Sequence, residues 1–150
     1  MNVGNACNRH VVQIGKGEKV LEAARRMREQ HVGDLVVVEE RGARGKPVGV
    51  ITDRDIVVGL LAKDVAHLEQ LDVGDLLTHA AITAREDEDV TAVVARMQQQ
   101  GVRRMPVVDK AGVLVGIFTV DDLLRMLSDS LASVVSLIAR EQRHEQVQRS

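Results

Sequence analysis

The apolar positions of this chain fall into two matching series of elements. In the first, residues 11–14 form a short β-branched run that predicts a strand, and Gly15-Lys16-Gly17 breaks it. Val20, Leu21, Ala24 and Met27 then recur at helical spacing, with Arg25, Arg26, Arg28 and Glu29 on the outer face. His31-Val32-Gly33 closes that helix. Residues 34–38 make an apolar strand suited to a covered sheet, and residues 48–51 a return strand. Thr52 then predicts a helix N-cap, with Asp55 three residues on completing a capping box, and Ile56, Val57, Leu60 and Leu61 supply the next apolar face. The second series predicts a strand at 81–83, a helix near 90–100, strands at 105–108 and 113–118 around a turn at 109–112, and a helix from Val120.

The two series are one repeat. Val3-Gly4 recurs at Val73-Gly74, Glu18 and Val20 at Glu88 and Val90, and Arg26-Met27 at Arg96-Met97, all 70 positions apart. The offset shortens to 67 between Thr52 and Thr119, so the first copy carries three extra residues, placed in a lengthened turn at 39–47 where Gly42, Gly45 and Pro47 stand among charges. Repeats of 20–50 residues usually stack as solenoids, whereas two copies of about 65 predict a pseudo-symmetric pair. The expected organisation is a first repeat at 1–64, a polar and partly helical linker at 65–72, a second repeat at 73–127 and a C-terminal helical extension at 128–150. The fold class is α/β (α+β): two β-α-β-β-α repeats packed as one module, plus a C-terminal amphipathic helix. In that extension Leu131, Val134, Val135 and Ile138 fall on one stripe, either packed on its own domain or offered to a dimer or docking partner, and residues 141–150 are expected to fray.

Composition narrows the function classes. A net charge of −2, with 45% hydrophobic and 28% charged residues, gives no general attraction to nucleic acid or acidic membranes. With one Phe and no Trp or Tyr there is no stacking platform for single-stranded bases, so a flat ligand must be gripped by aliphatic walls. The single cysteine, Cys7, excludes an intrachain disulfide. Residues 1–8 do not read as a signal peptide and no stretch reaches 18 consecutive apolar residues, so a cytoplasmic location is expected. The five histidines show no metal-ligand spacing.

The densest shared motif is Gly49-Val50-Ile51-Thr52-Asp53-Arg54-Asp55 and its counterpart Gly116-Ile117-Phe118-Thr119-Val120-Asp121-Asp122. A Gly-x-x-Thr-x-x-Asp motif after an apolar strand, found twice and joined in the second copy by Arg104-Met105-Pro106-Val107-Val108-Asp109, resembles the cystathionine-β-synthase-type (CBS) domain pair over residues 3–127. The resemblance implies two repeats about a pseudo-twofold axis, sheets back to back, with two clefts that bind adenosyl compounds such as AMP, ADP, ATP or S-adenosylmethionine. It also implies that Asp55 and Asp122 grip ribose hydroxyls, with Thr52 and Thr119 beside ribose and phosphate. A carboxylate accepting from two adjacent hydroxyls, next to a capped helix start, fits that chemistry.

By the same resemblance the Asp55 cleft borrows Thr78, Ala80, Val102, Arg103 and Arg104 from the second copy, and the Asp122 cleft borrows Asn8, His10, Val32, Gly33 and Asp34 from the first. Arg103 and Arg104 then face phosphate, and Arg54 adds a third charge near the cap. Gly33, Asp34 and Asp121 stand where the other cleft has Arg103, Arg104 and Arg54, so phosphate is expected at Asp55 and disfavoured at Asp122. The simpler readings are that both threonines only cap helices and that Arg103 and Arg104 are solvated charges or pair with Asp109. The expected function is a regulatory adenine-nucleotide sensor acting through a homodimer or a separate protein target. No cofactor, metal, catalytic residue, nucleic acid or membrane is expected, and the alternative is a ligand-free assembly protein. An enzyme built on Asp53 and Asp55 is disfavoured, because no nucleophile–base arrangement or phosphate-binding glycine loop accompanies them.

Overall fold

The segments that lead into each repeat cross over to the other. In the computed structural model, which describes residues 1–40, 45–63 and 66–149, helix α1 (Val3–Ala6) donates its Val3 and Gly4 amides to the Glu88 and Glu86 carbonyls at 2.8 and 2.9 Å. Val73 and Gly74, in a single 3-10 turn (Val73–Leu76), donate to Glu18 and Lys16 at 2.8 Å each. Val3 is therefore buried in the core of the second repeat and Val73 in that of the first. Each copy is completed by a piece of the other.

The first repeat continues with β1 (Gln13–Gly15), α2 (Val20–Gln30), β2 (Asp34–Val38), β3 (Pro47–Thr52) and α3 (Asp53–Gly59). The second has β4 (Ala84–Arg85), α4 (Val90–Gln100), β5 (Arg104–Val108), β6 (Leu114–Thr119) and α5 (Val120–Arg149). Each sheet has three strands, the first pair parallel and the second antiparallel. One core lies under each repeat's helices. A third cluster, Val36, Val38 and Ile117 with Val11 and Leu114, seals the two sheets against each other, and the Leu114 amide donates across to the Gly45 carbonyl at 2.9 Å.

Several expected boundaries shift. The first strand begins at Gln13 rather than residue 11, because Val11 turns into the inter-sheet cluster instead of the ladder. The strand expected at 81–83 lies at Ala84–Arg85, where it meets Val107 and Val108. The lengthened turn at 39–47 and the start of the linker fall partly outside the described residues; 3-10 turns at Leu61–Lys63 and Leu68–Gln70 give the described part of the linker its helical character. The C-terminal extension is not separate from the last repeat helix, since no Gly or Pro interrupts residues 120–149 and one helix runs through, about 45 Å long. It is also helical over 141–149, where fraying was expected. Its stripe does not pack on its own domain: Leu131 is 66% exposed and Ile138 50%.

Equivalent ion pairs hold α2 and α4. Arg26 pairs with Glu18 and donates to the Gln13 carbonyl at 2.8 Å, and Arg96 pairs with Glu88 and donates to the Thr83 carbonyl at 2.9 Å. The hydrogen bond from Arg96 holds the Glu88 carboxyl below its ordinary range. A depressed carboxylate contributes stability that is present above about pH 4.5, its ordinary value, and is lost as pH falls through the folded value. Glu88→Gln is expected to lower stability at neutral pH and to flatten the acid limb of the stability profile, read by urea unfolding at a series of pH values.

Candidate functional site

Both motif glycines exist to let the crossed-over segments approach. A Cβ on Gly49 would lie 2.6 Å from Leu77 Cδ2, and one on Gly116 would lie 2.6 Å from Cys7 Sγ and 2.9 Å from the Asn8 carbonyl oxygen. Leu77 closes over β3, while Asn8 exchanges backbone hydrogen bonds with Ile117 on β6, both at 2.9 Å. Burial raises the Cys7 thiol above its ordinary value, which keeps it a packing group.

Beside Leu77 opens a cavity of roughly 370 Å³, within the range of small-molecule sites. Thr52 and Asp55 form one wall from the first repeat; Thr78, Ala80, Val102, Arg103 and Arg104 form the other. These are the seven residues that the family resemblance assigned to this cleft, apart from Arg54. Arg54 is exposed and lies outside the lining, since consecutive positions at a helix start diverge around the axis. The remaining lining, Gly49, Val50, Leu76, Leu77, His79, Ala81, Ile82 and Pro106, was not anticipated, although an aliphatic grip was. The signal was available in part. Leu76 and Leu77 follow Val73-Gly74 as Ala6 and Cys7 follow Val3-Gly4.

The two motif aspartates differ in what they leave free. Thr52 and Asp55 form a full capping box, in which the Asp55 amide donates to Thr52 Oγ1 at 3.1 Å and the Thr52 amide to Asp55 Oδ2 at 2.9 Å. Asp55 is exposed, and its Oδ1 has no hydrogen-bond partner among the described residues. Asp122 is 8% exposed. Its Oδ2 accepts from the Thr119 amide at 2.9 Å and the Thr119 hydroxyl at 3.0 Å, and its Oδ1 from Arg125 at 3.3 Å. One carboxylate is open to a ligand, and the other is satisfied within its own helix start.

The residues assigned to the Asp122 side are bound up in structural contacts. The His10 amide donates to Asn8 Oδ1 at 2.9 Å, the Val32 amide to the Met27 carbonyl at 3.1 Å, and the Gly33 carbonyl accepts from the Asp53 amide at 2.9 Å. Asp34 faces Arg104, with Oδ2 3.0 Å from Nε. Arg104 therefore does not pair with Asp109, whose carboxylate instead caps its own turn by accepting from the Ala111 and Val113 amides at 2.8 and 3.0 Å. Among the described residues no cluster of three His, Cys, Asp or Glu side chains is placed to hold a metal ion, and no helix is long and apolar enough to cross a membrane.

The CBS domain profile matches residues 3–62 and 73–129 of the chain. The chain is 33% identical over 126 residues to the protein MK0525 of Methanopyrus kandleri, over 84% of its own length and 62% of that relative's, so it spans less than two thirds of it. It is 27% identical over 145 residues to the CBS domain-containing protein YhcV of Bacillus subtilis, covering 95% of this chain and 99% of that one. The solved CBS domain pair of protein MJ0100, in complex with 5′-methylthioadenosine and S-adenosyl-L-methionine, superposes with a TM-score of 0.72 at 28% identity, covering 87% and 98% of the two chains.

Proposed function

Since this chain belongs to the CBS domain family, we propose that it is a regulatory module that binds an adenosyl ligand in the Asp55 cleft. The carrying observation is the open Oδ1 of Asp55 on one wall of an aliphatic cavity whose opposite wall bears Arg103 and Arg104. The carboxylate takes the ribose hydroxyls, the aliphatic side chains take the adenine, and the guanidinium groups take phosphate. The ligand class is AMP, ADP, ATP or S-adenosylmethionine; that MJ0100 was solved with two adenosyl compounds supports the class. Asp122, satisfied by Thr119 and Arg125, holds the ligand weakly or not at all.

A ligand shifts a partner only by preferring one of two conformations. The output passes through a homodimer or a separate protein, and the stripe of Leu131, Val134, Val135 and Ile138 on α5 offers the surface. That exposed stripe also favours the second reading, an assembly protein that binds nothing. Thermal unfolding separates them. At about a hundredfold excess of AMP or S-adenosylmethionine over Kd, a sensor gains about 2.7 kcal/mol, or about 5–10 °C for a chain of this size. An assembly protein shows no shift with either compound at millimolar concentration.

A further inference from the structure

Asp34 and Arg104 occupy the same position in the two repeats, 70 residues apart, yet they touch. A residue in contact with its own repeat mate lies on the pseudo-twofold axis. Had both copies kept Arg, or both Asp, like charges would meet there. The difference between the copies at this one position makes the contact an ion pair, and it places an acid against one of the two arginines that line the Asp55 cavity.

We propose that Asp34 sets the charge preference of the Asp55 cleft by competing with the ligand's phosphate for Arg104. This rests on the adenosyl reading above. Two roles for Asp34 are physically distinct and predict opposite signs. As a positioner it would aim the guanidinium by a directed hydrogen bond, and its loss would weaken phosphate binding. As a competitor it would cancel charge, and its loss would strengthen it. The geometry decides between them: Arg104 Nε is 3.0 Å from Asp34 Oδ2, but this buried nitrogen makes no hydrogen bond, so the contact lacks the alignment that positions a side chain. Coulomb attraction needs no alignment, and both side chains are largely withdrawn from water, at 32% and 28% exposed. With Arg104 neutralised, Arg103 is the uncompensated arginine of the lining, and the cleft favours few negative charges on its ligand.

The test is calorimetric titration of AMP and of adenosine, which differ only in the phosphate, into the full chain carrying Asp34, Asp34→Asn or Asp34→Glu. Asp34→Asn preserves size and leaves Arg104 free, and it is expected to tighten AMP by about tenfold while leaving adenosine unchanged. Asp34→Glu, which keeps the charge, is expected to stay near the parent for both. Equal changes for AMP and adenosine, no change for either, or weaker AMP binding by Asp34→Asn overturns the competition while leaving the cleft assignment in place. Absence of binding of both compounds by all three proteins overturns the adenosyl reading and this inference with it.

Discussion

Asp55→Ala is expected to abolish most of the adenosyl affinity while the protein stays folded. The side chain of this cavity-lining residue does two things: Oδ2 closes the capping box on the Thr52 amide at 2.9 Å, and Oδ1 is left without a hydrogen-bond partner among the described residues. Loss of the cap costs about 1 kcal/mol of stability. Loss of a charged acceptor for two ribose hydroxyls costs about 1.5–3 kcal/mol per hydrogen bond in binding, a change in Kd of more than about tenfold for each. Asp122→Ala serves as the matched control, since Asp122 fills the same position in the other repeat and its oxygens are already taken. Calorimetric titration should show the loss in the first variant and near-parent affinity in the second. The reverse pattern would reassign the ligand to the other side.

Phe118→Ala is expected to give the largest loss of stability from a single substitution. Phe118 is the one aromatic residue of the chain. It is fully buried in the core that Val3, crossing over from the other repeat, helps to fill. Its removal leaves a cavity bounded by a sheet, α4 and the crossed-over segment, none of which can collapse without breaking the hydrogen bonds of the others. Phe→Ala at such sites costs about 3–5 kcal/mol, against a total of about 5–15 for a domain. Urea unfolding should show a midpoint lowered accordingly with the slope little changed, and ligand should recover part of the loss by mass action.

Much of the architecture was written in local pattern. The β-branched runs, the helical spacing of Val20 to Met27 and the Thr52–Asp55 box each specify their element within a few residues, and the 70-residue offset doubles the evidence. The seven cleft residues came from a family resemblance rather than from periodicity. What stayed hidden depends on contacts far apart in sequence. Nothing near Val3 says that its amide meets Glu88, and nothing near Arg104 says that its partner is Asp34 rather than Asp109. The difference between Asp55 and Asp122 was read from flanking charges, yet the structure adds a closer cause, the Thr119 hydroxyl and Arg125 bonded to Asp122. Arg125 sits one turn beyond the motif. A reading confined to the motif passes over it.

The most direct measurement is the stoichiometry of adenosyl binding to the intact chain by calorimetric titration with AMP. One molecule per chain, lost in Asp55→Ala and kept in Asp122→Ala, is the predicted result. Two equivalent sites, or one site that survives Asp55→Ala, would contradict the account.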